Sequence, residues 1–279
     1  FSPALDWPFQ IVTTMGEEEF FVLLLPLIYW CFDRRAGLRL TILFLLSAYL
    51  NTFAKLLFDQ PRPFDYDGRV QRLREASGGG LPSGHAQNTT AIWGYMAYHF
   101  RRTWLWIAAA LVILLVSLSR IYLGVHFPTD VLGGFAIGLA CAFVLIGIDP
   151  RLTGWLGKKG PIWQIGLVVV VSGAMIISSA LANGDVNTGA ALLGIGIGFV
   201  LEQRWVRFES RGAGWKRLLR ALVGVAGLAA IYLGLRFAFA DMEPVVLFRV
   251  ARYALVGLWG GLGAPWLFVV LGLAARQKD

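Results

Sequence analysis

Apolar runs long enough to cross a bilayer recur along this chain from about residue 17 almost to its end. A hydrocarbon core of about 30 Å takes about 20 helical residues to cross. By that measure nine spans are expected, at roughly 17–33, 37–58, 85–100, 104–121, 128–148, 162–182, 186–203, 216–239 and 245–273. The third is short for a full crossing, and the last has room for an interfacial turn. No run of Val, Ile or Thr alternates as a barrel strand would, and glycine-rich stretches such as Gly194 to Gly198 suit close helix packing. The expected fold class is all-α, a polytopic membrane protein. With 57% hydrophobic and 15% charged residues and a mean hydropathy of +0.64, an ordinary soluble domain is excluded.

The net charge of +8 does not point to nucleic acid, because the Lys and Arg residues cluster between the apolar runs. Arg34, Arg35 and Arg39 follow the first span; Arg101 and Arg102 the third; Arg151, Lys158 and Lys159 the fifth; Arg204, Arg207, Arg211 and Lys216 the seventh; Arg276 and Lys278 the last. After the sixth and eighth spans stand only Asn183-Gly184-Asp185 and Asp241-Met242-Glu243. The positive-inside rule then puts the N-terminus outside, the C-terminus in the cytoplasm, and the loops after spans two and four outside. No cationic segment precedes a small-residue cleavage site, so no signal peptide is expected. Cys31 and Cys141 fall in apolar spans and are expected to be inert, neither a disulfide nor a metal pair.

The two outer loops carry arginines against the charge bias, within three short polar signatures. Lys55 is followed seven residues later by Arg62-Pro63; Pro82-Ser83-Gly84-His85 opens the third span; and Ser119-Arg120 precedes His126 and Asp130. An imidazole can attack phosphorus through one ring nitrogen when the other donates its proton to a carboxylate, and Asp130 is the carboxylate nearest His126 in sequence. That pair alone reads equally well as a helix cap beside lipid headgroups. Ser83 suits an N-cap, Gly84 allows close backbone approach to an anion, and His85 can protonate a leaving oxygen; alone, this segment reads as an ordinary capped turn. Lys55, Arg62 and Arg120 supply fixed cations for the equatorial oxygens of a phosphoryl group, with Ser119 beside them. Each cation alone could equally be a snorkelling side chain.

Taken together, the three signatures resemble the type 2 phosphatidic acid phosphatase superfamily, which includes vanadium haloperoxidases and acid phosphatases. The family motifs K-x6-R-P, P-S-G-H and S-R-x5-H-x3-D stand here as Lys55 to Pro63, Pro82 to His85 and Ser119 to Asp130, in order and with every fixed position matched. The resemblance covers roughly residues 17 to 148. It implies a family-type helical core with His126 as nucleophile, Asp130 as its partner and His85 as general acid. Phosphate contacts are implied for Lys55, Arg62, Ser83, Gly84, Ser119 and Arg120. Hydrolysis is implied to need no metal or other cofactor, in keeping with a sequence that has no carboxylate or His-Cys cluster suited to a divalent ion.

The expected organisation is an interfacial segment at 1–16, a catalytic membrane core at 17–160 and a C-terminal membrane region at 161–279. The expected activity is phosphoric ester hydrolysis of a lipid mono- or diphosphate at the outer leaflet, in a bacterial cytoplasmic membrane with the site facing the periplasm. The bilayer and the lipid substrate are the expected partners, and the sequence leaves the oligomeric state open. Alternatives within the enzyme class are a water-soluble ester, as in the nine-span glucose-6-phosphatases, or phosphotransfer to another acceptor. A lipid-binding scaffold is the alternative outside it; a vanadate-dependent peroxidase is disfavoured by the nine spans. Outside the signatures, His99 reads as interfacial, the charged loop 64–76 as a short surface helix or a solvated face, and Arg249 with Arg252 as snorkelling residues or a headgroup contact.

Overall fold

The computed structural model describes residues 2–240, 242 and 244–277; Phe1, Asp241, Glu243 and Lys278, used above, lie outside the described residues. The described chain is helical apart from loops and one isolated antiparallel bridge between Phe208 and Arg276. Twelve α-helices follow in order: α1 Asp6–Thr14, α2 Glu18–Cys31, α3 Arg34–Phe58, α4 Pro63–Tyr66, α5 Gly84–Phe100, α6 Thr103–Tyr122, α7 Pro128–Leu156, α8 Pro161–Leu181, α9 Asn187–Leu201, α10 Gly214–Ala238, α11 Val245–Leu258 and α12 Ala264–Val270.

Every expected span contains a helix. Six helical stretches are long and apolar enough to cross a membrane: 34–66, 103–122, 128–156, 161–181, 214–238 and 245–270. The other three, α2, α5 and α9, have 14, 17 and 15 residues, short of the roughly 20 a full crossing takes. The loop 64–76 is not the surface helix that its charges suggested. Helix α4 ends at Tyr66 and the rest is irregular, with Asp67 taking the Arg69 guanidinium on two oxygens and leaving no helical charge pattern.

Two compact units divide the chain. The first comprises residues 1–24 and 46–150 and holds all three signatures. Within it α5 packs on α6, and α1 packs on α6 as well. Helix α7 reaches the α5 backbone through Gly134 and Gly138, where a Cβ would run into the carbonyl oxygens of Ser83 and Gln87. This small-xxx-small spacing lets two membrane helices touch main chain to main chain. A buried polar seam joins α3 to α5: Asn51 Nδ2 donates to Gln87 Oε1 at 2.8 Å, Gln87 Nε2 to the Ser47 carbonyl at 2.7 Å, and the Ser47 hydroxyl to Asn88 Oδ1 at 2.8 Å.

The second unit comprises residues 25–45 and 151–279. Gly194 and Gly198 on α9 meet the backbone around Ala254 and Gly261, as the glycine pattern implied. Its two fully buried charged side chains find partners within the unit, Arg220 Nε excepted. Glu202, fully buried, accepts from the Phe208 N–H at 2.9 Å and pairs with Arg34 at 3.3 Å. Arg220 donates to the carbonyls of Trp30 and Glu209 at 2.8 and 3.1 Å. Around them a core of Tyr29, Trp30, Phe208 and Phe268 packs edge to face.

Candidate active site

The residue at the centre, His126, arrives on a tight turn after α6. Gly124 makes that turn possible twice over: its φ of +72° lies in the left-handed region, and a Cβ there would strike the Gln71 carbonyl. The turn is closed by the N–H groups of Val125 and His126, both donating to the Arg120 carbonyl, at 3.2 and 3.3 Å. Pro128 then opens α7 with its fixed φ, placing Asp130 in the first turn.

His126 and Asp130 are 3% and 0% exposed. His126 Nδ1 lies 3.3 Å from Asp130 Oδ2, which also accepts the Phe127 N–H at 2.9 Å. Across the ring, Nε2 lies 3.3 Å from Arg62 Nη1. A guanidinium only donates, so Nε2 is the acceptor and Nδ1 carries the proton toward Asp130. Burial, opposed by the Asp130 hydrogen bond and reinforced by Arg62, Arg120 and Lys55, pushes the imidazole down to about 4. At neutral pH it is uncharged, with its Nε2 lone pair turned to the Arg62 guanidinium.

Arg62, 3% exposed, is held on three carbonyls: its Nε donates to Gly78 at 2.9 Å, Nη1 to Val125 at 2.9 Å and Nη2 to Ser77 at 2.7 Å. It thereby fastens the 77–79 loop to the histidine turn. Gly80 brings the same loop against Asp130, where a Cβ would sit 3.0 Å from Oδ2. The Ser83 N–H donates to the Asp130 carbonyl at 2.9 Å, tying the second signature to the third.

One cavity of about 520 Å³ brings the signatures together. Lys55, Arg62, Gly84, His85, Arg120 and His126 all line it. His85 Nε2 and Arg120 Nε are buried without a hydrogen-bond partner, and buried donors left over in this way mark where a ligand belongs. Asp130 stands behind His126, outside the lining, as an orienting carboxylate should. Two expected contacts are placed differently. Ser119 donates its hydroxyl to the Val116 carbonyl at 2.6 Å, one turn back in its own helix, and does not line the cavity. Ser83 occupies the N-cap position of α5, yet its hydroxyl makes no cap bond and remains buried and unpartnered. Among the described residues, no three His, Cys, Asp or Glu side chains gather as a group that could hold a metal ion.

Other parts of the wall have no motif to announce them. Gly16 and Glu18, between α1 and α2, line the cavity, as do Asn51 and Asn88 of the polar seam. The only local signal for the seam is a polar stripe, Ser47, Asn51 and Lys55, repeating every four residues along an otherwise apolar helix. His99 is remote from this chemistry, stacked on Tyr95 at 5.9 Å near the opposite end of α5. Arg252, in the other unit, lies over the rings of Tyr232 and Tyr253 at 5.4 and 5.2 Å.

Comparison with known proteins identifies the family. The PAP2 superfamily model matches residues 36–154, and the model of the PAP2 superfamily phosphatase transmembrane extension matches residues 186–276. Phosphatidylglycerophosphatase B of Bacillus subtilis is 33% identical over 157 residues, covering 50% of this chain and 73% of that protein. Human sphingosine-1-phosphate phosphatase 2 is 30% identical over 170 residues, 58% of this chain and 42% of the relative. The undecaprenyl-diphosphatase of Sulfolobus acidocaldarius is 32% identical over 135 residues, 47% and 60% respectively. The chain thus spans less than two thirds of the last two relatives' lengths. On these matches the chain belongs to the PAP2 superfamily, as a multi-pass integral membrane phosphatase of that family.

Proposed function

We propose that this protein hydrolyses lipid phosphate esters through a covalent phosphohistidine on His126. The observation that carries the proposal is the setting of His126, with Nδ1 3.3 Å from Asp130 Oδ2 and Nε2 3.3 Å from Arg62 Nη1, in the lining of a cavity that Lys55, Arg62 and Arg120 share. Nε2 attacks phosphorus as the bond to the leaving oxygen breaks, and Asp130 stabilises the imidazolium that forms. The cations hold the equatorial oxygens, where charge spreads in the transition state. His85 gives its proton to the departing alkoxide; the entering phosphate supplies the negative charge that lets the ring carry that proton. Water, deprotonated by the same ring, then attacks the phosphohistidine, the P–N bond breaks and inorganic phosphate leaves. Gly84 contributes open backbone at the head of α5; Ser83 supports the site through its backbone link to Asp130, and Ser119 by fixing the end of α6 beside Arg120. No metal takes part in this scheme.

The substrate is a lipid mono- or diphosphate. The names of the three relatives each refer to a different lipid phosphate, which supports that substrate class. The chain crosses the membrane nine times, the three short helices included, with its N-terminus outside, its C-terminus in the cytoplasm and the cavity at the outer leaflet, facing the periplasm of a bacterium; the distribution of Lys and Arg supports this orientation. The test is phosphate release by detergent-solubilised protein on phosphatidic acid, sphingosine-1-phosphate, phosphatidylglycerol phosphate and undecaprenyl diphosphate, in EDTA, with His126→Ala as control. Turnover that survives EDTA and vanishes in the variant is expected. A metal requirement, persistence in the variant, or equal turnover of tail-free esters overturns the scheme or the lipid assignment.

A further inference from the structure

The matched family region begins at residue 36, yet one side of the Arg120 guanidinium is held by a residue far upstream of it. Arg120 Nη1 donates to Thr13 Oγ1 at 2.7 Å, with Thr13 0% and Arg120 3% exposed. Thr13 belongs to α1, which is secured to the end of α6 on either side of that contact. Tyr122 OH donates to Asp6 Oδ1 at 2.6 Å, and the Phe9 and Tyr122 rings stack at 4.5 Å. Immediately after α1, Gly16 lets the chain press against Val116 and His85, and Glu17 pairs with Arg74.

We propose that Thr13 is a positioning residue for the phosphoryl-transfer site, fixing Arg120 by one edge so that its other edge is presented to phosphate. The planar guanidinium has a side-on fork made by Nε–H and one N–H of Nη2, on the opposite side from Nη1. With Nη1 anchored on the threonine hydroxyl, that fork remains, and its Nε is a buried donor without a protein partner. An arginine free to rotate would have to be ordered as the transition state forms, whereas one already held costs nothing to align. The N-terminal helix therefore serves the site through Arg120 and is not only an interfacial anchor. The inference rests on Arg120 contacting phosphate, as proposed above.

The test uses the full chain, with Thr13→Val, which replaces the hydroxyl by a methyl at constant shape, Thr13→Ser, which restores the acceptor, and Arg120→Ala. Phosphatidic acid turnover, inhibition by vanadate as a mimic of the phosphoryl transition state, and thermal unfolding are measured on each. Thr13→Val is expected to lower kcat about 10- to 100-fold with KM little changed and to weaken vanadate inhibition by a similar factor. Thr13→Ser is expected to return both to within about threefold of the parent protein. Thr13→Val with unaltered kcat and vanadate inhibition, beside an inactive Arg120→Ala, overturns the role of Thr13 and leaves that of Arg120 standing. A lower melting temperature with unaltered vanadate inhibition also overturns it, since that is what a purely structural contact gives. Full activity in Arg120→Ala removes the reading on which the inference rests. Should Thr13→Val fail to fold, Thr13→Cys, a weaker acceptor of small size, is read by the same measurements.

Discussion

The two compact units bury charge to opposite ends. In the second, Glu202 and Arg220 draw their partners from within the unit, main-chain groups above all, though Arg220 Nε has none, and the larger cavities are lined almost wholly by apolar side chains such as Trp205, Trp259, Leu262 and Val270. In the first, buried donors converge on one polar cavity and some are left without partners, His85 Nε2 and Arg120 Nε among them. An unpaired buried polar group costs roughly 1–3 kcal/mol. Unpartnered donors occur in the second unit too, at Arg217, Arg220 and Arg252, but none of those residues lines its apolar cavities. The comparison teaches that convergence of unpartnered donors on one polar cavity, more than burial, charge or a missing partner, marks the candidate site.

The sharpest break of that contrast is at its centre. His126→Ala is expected to cut phosphate release by more than about 10³-fold while leaving thermal unfolding nearly unchanged, because the ring is replaced at a cavity wall. Asp130→Asn is expected to cost about 10²–10⁴-fold in kcat, since an amide no longer stabilises the imidazolium. The converse holds in the other unit: Glu202→Ala is expected to lose about 3–5 kcal/mol of stability, by stranding Arg34, with kcat of the folded fraction intact. A large fall in kcat there, at unaltered stability, would erase the distinction between the units.

The pH profile sharpens the same point. The folded value of His126, about 4, lies below its ordinary 6.5, so the unfolded chain binds the extra proton first. This group's contribution to stability is therefore complete above about 6.5 and is lost as pH falls toward about 4. The acid limb of kcat/KM in the free enzyme is expected near 4, well below the ordinary histidine range. Removing the Asp130 hydrogen bond, which raises the value, should move that limb lower still.

The smallest effects concern glycine. Gly194→Ala, which thrusts a methyl onto the Ala254 carbonyl, is expected to cost about 1–3 kcal/mol. Gly94→Ala meets nothing within 4 Å and should gain about 0.5–1 kcal/mol. Thermal unfolding of both variants in one detergent checks the pair.

How much of this was legible in the sequence follows from the range of each interaction. Helices were readable because apolar length is a local property, and all nine expected spans contain one. The make-up of the cavity was readable because the three signatures name Lys55, Arg62, Gly84, His85, Arg120 and His126, which all line it. What escaped notice acts across the chain. Thr13 meets Arg120 over 107 residues, and Arg62 meets Val125 over 63; a threonine or a main-chain carbonyl carries no local mark of such a partner. Ser83 and Ser119 were assigned to phosphate from their motif positions, which say that a hydroxyl is present but not which way it turns. Of the two readings of the loop after α4, the structure gives the solvated one: its charges pair with near neighbours and with Glu17, so the backbone needs no helix to place them.

The hydrogen bond from the Ser83 N–H to the Asp130 carbonyl has a longer reach than its single contact suggests. It joins main chain to main chain, with the glycine faces of α7 closing on α5 just beyond it, so the spacing between His85 and His126 is written in backbone and is indifferent to neighbouring side chains. The cations are held differently, Arg62 on the 77–79 loop and Arg120 on Thr13, so a change in those outer segments shifts the charges around the cavity while the two imidazoles keep their distance.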